Sequence, residues 1–161
     1  MFPFNVRVYG MLINENNQVL VADEMIKGKL YTKFPGGGLE FGEGTRECLA
    51  REFLEEMNLK VKVTDHLYTT DFFQLSAFSP GHQIISIYYL VEALEPIRVR
   101  LNTSAHQYDE MQLEQYKLHL QTESFRFIDW NDLTEESVTL PIDKVAVSIL
   151  KQKLIHLLNH S

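Results

Sequence analysis

With 161 residues, 45% of them apolar, the chain has the material for one ordinary domain with its own core, and residues 1–161 are read as a single domain. A formal charge of −7 excludes a general electrostatic grip on DNA or RNA. No apolar run reaches the roughly 18 residues needed to span a bilayer, so neither nucleic acid nor membrane is expected as a partner.

Asn5 and Arg7 break any leader-like run near Met1, and the lone Cys48 has no partner for an internal disulfide, which together point to the cytoplasm. Val6–Ile13 and Gln18–Met25 are β-branched and apolar runs flanking the polar cluster Asn14-Glu15-Asn16-Asn17, and they predict an opening β-hairpin. Phe34 to Gly44 follows, rich in Gly and carrying Pro35, a composition that favours loop geometry. Thr45–Met57 has strong helix formers without internal Gly or Pro, and Asn58 stands where a left-handed terminator belongs. Lys60–Thr70, Asp71–Phe78 and Ile84–Glu92 read as strands, with Ser79-Pro80-Gly81-His82 as a break. The polar stretch Asn102–Thr122 reads as an insertion or long loop with room for a short helix. Phe125–Ile128 reads as a further strand, and Ile142–Leu158 as a closing amphipathic helix with Val145, Ile149, Leu150, Leu154 and Leu157 at helical spacing.

On a helix advancing about 100° per residue, Glu52, Glu55 and Glu56 share one face, while Ala50, Phe53, Leu54 and Met57 gather on the other. Carboxylates crowded in this way repel unless a positive group sits among them, and a hard divalent cation with oxygen ligands meets that need. The competing reading is a solvated face on which Glu47, Arg51 and Glu55 form ordinary i,i+4 pairs.

The preceding loop weighs against that alternative. From Gly37, five residues lead to Glu43, seven more to Arg51-Glu52, and Phe53 to Leu59 completes the segment. This run resembles the Nudix box, G-x5-E-x7-R-E-U-x-E-E-x-G-U, where U is apolar. Gly37, Glu43, Arg51, Glu52, Glu55 and Glu56 match its fixed positions. At roughly 7% usage per residue type, such a match arises by chance on the order of 10⁻⁷ times per starting point. Asn58 stands in place of the family's final Gly.

The resemblance to these MutT-like hydrolases implies an α/β fold, an α/β/α sandwich with a mixed β-sheet between helices. It implies Mg²⁺, with Mn²⁺ as a substitute, held by Glu52, Glu55, Glu56 and the carbonyl of Gly36. Glu43 and Arg51 then brace the loop against the helix, and Gly37 shapes it. The implied reaction is hydrolysis of a phosphoanhydride in a nucleoside diphosphate linked to another moiety, or of a nucleoside triphosphate. The water-activating base is Glu52 or a glutamate beyond the box, and Glu55 is a further ligand or a group that positions the water. Glu123 is the first such candidate, with Glu92 and Glu95 as weaker rivals. Arg7 and Lys33 are candidate partners for substrate phosphates, against a reading as ordinary surface charges. Phe34, Tyr31, Phe72 and Phe73 are candidate base-stacking groups, although strand aromatics are more often core. His82 is read as an exposed turn residue, and Cys48 as a non-nucleophilic thiol beside negative charge. Many relatives pair as homodimers, and the early strands offer surfaces for that. The rival function is a Nudix-like module that senses a nucleotide without cleaving it, which the complete set of box glutamates disfavours. An acidic interaction domain ranks last.

Overall fold

The computed structural model describes residues 3–158, and side chains for 3–155. The described residues build two compact units, one from the chain up to residue 12 with 35–97, the other from 13–34 with 98 onward. Each is organised around a four-stranded sheet.

In the first unit, β1 (Phe4–Leu12) lies between β4 (Gly36–Gly38) and β6 (Gln83–Ala93), and β5 (Val61–Thr69) closes the far edge. β1 runs parallel to β6, whereas the β1–β4 and β5–β6 pairs are antiparallel. Helix α1 (Thr45–Met57) buries Leu49, Phe53 and Met57 in a core shared with Val8, Met11, Leu12 and Val91. It approaches β1 so closely that a Cβ on Gly10 would stand 2.8 Å from Phe53 and 3.2 Å from Leu49 of the helix, with Val91 of β6 at 2.7 Å.

In the second unit, β2 (Gln18–Ile26) lies between β3 (Lys29–Lys33) and β8 (Gln121–Asp129), with the short β7 (Leu101–Asn102) parallel to β8 at the edge. Helices α2 (Glu110–His119) and α3 (Pro141–Leu158) complete it. The core here is Val19, Leu20, Val21, Phe34, Trp130, Leu133, Ala146, Val147 and Leu150.

The expected α/β class with mixed strand directions forms, its strands divided between two sheets. The opening hairpin does not form. Asn14 does make the predicted turn, its side-chain oxygen accepting from the Asn16 and Gln18 amides, but pairing ends at the single Ile13–Val19 bridge. Both strands are buried over most of their length, so each takes a central place with a neighbour on either side. Asp71–Phe78 is not a strand either: only Leu75 bridges, to Gln83, and Phe73 stands exposed. α3 turns a slightly different face inward, burying Ile142, Ala146, Val147 and Leu150 while Val145, Ile149 and Leu154 are half-buried. The side chain of Leu157 lies outside the described residues. Among the described residues no helix is long and apolar enough to cross a membrane.

Candidate active site

α1 is fixed at both ends by its own sequence. At the start, the Gly44 amide donates to the Glu47 carboxylate (3.3 Å), and the Gly44 carbonyl accepts the first helical bond from Cys48. Thr45 hydrogen-bonds the Tyr89 hydroxyl at 2.7 Å, and Arg46 lies over the Tyr89 ring while donating to the carbonyls of Val63 and Thr64. At the other end Asn58 adopts the left-handed conformation (φ 48°) and donates to Leu54, while the buried Leu59 donates back to Phe53. Of the predicted apolar face, Phe53 and Met57 are buried but Leu54 is 46% exposed; Cys48 and Leu49 take its place inside.

The glycine run preceding the helix is partly extended, since Gly36–Gly38 pairs antiparallel with Arg7–Tyr9. Gly36 has φ 152°, and a Cβ there would run into the Val8 carbonyl. Gly37 is required for another reason: a Cβ would overlap the carboxyl group of Glu52, which rests directly on the Gly37 backbone. The middle of the loop is therefore shaped to receive the side chain of one helix acid.

Arg51 organises the others. Its Nε and Nη2 donate to the two carboxylate oxygens of Glu43 at 2.9 and 2.7 Å, and Nη2 also donates to the Gly38 carbonyl at 3.1 Å. Its Nη1 donates to Glu52 at 3.0 Å and to Glu55 at 3.2 Å, and stands 3.7 Å from Glu40. The bidentate pair, helped by the Glu40 backbone, pulls the Glu43 carboxyl down to about 2 and drives Arg51 well above its ordinary value. Glu52 moves the other way: burial holds its carboxyl above the usual range and the Glu55 charge adds to this, against the opposing pull of Arg51 and a hydrogen bond with Glu56. Cys48 is buried, and burial together with Glu43 pushes its thiol up to about 12.

The structure thus brings Gly37, Glu43, Arg51, Glu52, Glu55 and Glu56 into one neighbourhood. Arg7 reaches its edge, donating from Nε to the Tyr9 hydroxyl at 2.6 Å, and a Cβ on Gly38 would lie 3.6 Å from its Nη1. Lys33 and Glu123 belong to the second unit. Lys33 is no surface charge: it is buried and paired with Glu24 at 3.4 Å, and Glu24 is the cross-strand neighbour of Glu123. Phe34 is core, whereas Phe72 and Phe73 are exposed; Tyr31 and His82 are half-buried. Glu95 accepts from the Lys60 amide at 3.0 Å, and Glu92 is exposed.

Sequence reasoning passed over Glu40, Tyr9 and the polar centre of the second unit. There the fully buried Asp23 accepts from Arg126 (2.6 and 3.2 Å), Thr32 (2.7 Å) and the His106 amide (3.3 Å). Its signal was present: an acid set directly after the apolar run Val19–Ala22, in a segment reading as a buried strand, demands a buried partner.

Whether these residues suit a metal ion is decided by the donor set and its packing. Among the described residues no three acids, histidines or cysteines are already gathered into a cage, because the Arg51 guanidinium stands between Glu52 and Glu55. The donors within reach are nevertheless all oxygen, and Glu52 is a half-buried carboxylate whose ionised form is disfavoured by burial and by a like charge. A hard divalent cation fits such a set.

A family model, the NUDIX domain, matches residues 3–130. The chain belongs to the Nudix family. Solved structures similar to this Nudix hydrolase share its fold at low identity. The E. coli ORF135 protein superposes with a TM-score of 0.64 at 15% identity, covering 96% of this chain and 92% of that one. A MutT NUDIX hydrolase from Burkholderia pseudomallei gives 0.64 at 15%, with 91% and 97% covered. An ADP-ribose pyrophosphatase from Streptococcus suis gives 0.57 at 12%, with 92% of each chain covered.

Proposed function

We propose that this Nudix hydrolase cleaves a phosphoanhydride bond in a nucleoside diphosphate linked to another moiety, with Mg²⁺, or Mn²⁺ in its stead, held by Glu52, Glu55, Glu56 and the Gly36 carbonyl. The observation that carries the reading is the seat of the Glu52 carboxyl on Gly37, which ties the glycine loop to the acid-bearing helix at one point. When bound, divalent magnesium neutralises phosphate charge and eases deprotonation of water.

The remaining work falls to the chain. Glu52, half-buried and seated on the Gly37 backbone within the cluster of box acids, accepts the proton of the attacking water. We prefer Glu52 to the outside candidate Glu123, which faces Glu24 across the second sheet. Arg51 and Glu43 hold the loop to the helix, so that Gly36 and Glu52 keep their relative positions. Arg7, oriented by Tyr9, offers a planar cation to a substrate phosphate at the loop's edge. The buried pair with Glu24 removes Lys33 from that task in our reading. One structural relative is named as an ADP-ribose pyrophosphatase, and that name supports a nucleotide substrate class.

The test is a panel of nucleoside triphosphates and nucleoside diphosphate derivatives incubated with Mg²⁺, with phosphate and pyrophosphate release followed. Turnover is expected for at least one compound, abolished by chelation and reduced about 10²- to 10⁴-fold in Glu52→Gln. Tight binding without turnover across the panel would replace the enzyme by a nucleotide sensor.

A further inference from the structure

We infer that Arg51 competes with the divalent cation for Glu52 and Glu55, its Nη1 moving to Glu40 when the cation takes those carboxylates. This rests on the reading of Glu52 and Glu55 as ligands. The guanidinium is divided in use. Nε and Nη2 are committed to Glu43 and the Gly38 carbonyl, a bidentate contact that anchors one edge of the group. Nη1 alone faces three further acids: Glu52 at 3.0 Å, Glu55 at 3.2 Å and Glu40 at 3.7 Å.

A carboxylate oxygen that binds Mg²⁺ does so at about 2.1 Å, so a cation on the Glu52 oxygen now facing Nη1 would lie at most about 5 Å from that nitrogen. Two positive centres at that range repel, and in a partly buried setting the repulsion is weakly screened. Glu43 does not face that conflict, because its partners are the other two nitrogens of the fork. Glu40 supplies the alternative acceptor for Nη1, in the loop, mostly exposed and already within ion-pair distance. A small rotation about the Glu43 contact exchanges one set of acids for the other while the brace between loop and helix persists. Arg51 therefore does two things: it holds the loop, and it neutralises the helix acids until a cation takes over. The cation's apparent affinity is lowered by this competition, since Arg51 must first be displaced.

The experiment titrates MgCl₂ into the wild-type protein by calorimetry while recording ¹⁵N spectra of the arginine side chains. The expected result is a saturable shift of the Arg51 Nη1 resonance with the calorimetric midpoint, the Nε signal on Glu43 staying in place. Calorimetric binding with an unmoved Nη1 would overturn the competition and leave the proposed function standing. Absence of binding by calorimetry, with no turnover on the panel, would remove the ligand reading and this inference together. Glu40→Gln, an exposed change outside the catalytic set, should weaken Mg²⁺ about two- to fivefold by removing the fallback acceptor. Unchanged affinity in that variant would overturn the move to Glu40.

Discussion

Glu43 meets Arg51 through two parallel contacts, and its carboxyl titrates near 2 as a result. Because its folded pKa is depressed from 4.5, the contact contributes stability that is fully present above that value and is lost as pH falls through about 2. A ¹³C carboxyl titration should find Glu43 still ionised at pH 3. A midpoint near the ordinary value would show that the pair does not persist in solution. Cys48 offers the opposite case: with its thiol pushed up to about 12 and buried, it should resist alkylation at pH 8 in the native protein and react promptly on unfolding in urea. Gly37→Ala should cost activity more than stability, because the added methyl displaces the Glu52 carboxyl; a loss of about 10²-fold in kcat with a near-normal Tm is expected. These residues were legible because the box is contiguous in sequence, so spacing alone places them. The Lys33–Glu24 and Asp23–Arg126 pairs were not, since nothing in a linear string says which charge meets which across strands.

The helix of the box was readable to its last residue, and the reason is local. Gly44 and Asn58 mark its ends through backbone geometry that depends on neighbours only a few residues away. Asn58→Ala should therefore destabilise the protein by about 1 kcal/mol in urea unfolding, and Asn58→Gly should be neutral or stabilising, because the left-handed conformation penalises a Cβ. The first two strands were recognised as strands yet wrongly paired with each other, since alternation and β-branching report burial and leave the neighbour unspecified. β3 was missed because Lys29-Leu30-Tyr31-Thr32-Lys33 is polar at both ends. The buried Lys33 is satisfied there by a partner, which composition does not reveal. Gly10 shows how tertiary contact overrides propensity: Gly10→Ala forces the methyl between Val91 and Phe53 and should cost about 1–3 kcal/mol.

For the whole molecule, charge and cation are linked. The net −7 includes the acids of the box, and a cation bound there only in the folded state stabilises it. At one hundred times the dissociation constant, Mg²⁺ should add about 2.7 kcal/mol, read as a rise in Tm that disappears with chelator and is diminished in Glu52→Gln. The same measurement on Glu123→Gln separates a ligand of the cation from a group with another task.

The interleaving of the two units has a consequence for how the chain is made. β1 finds its parallel partner only when residues 83–93 exist, and β2 its longer neighbour only at 121–129. During synthesis β1 and β2 thus leave the ribosome well before the strands that complete their flanks, and two apolar ribbons wait with one edge open. Folding governed by such distant closures is slow relative to a helical bundle of equal length, and nascent chains halted before β8 are the species a chaperone would hold.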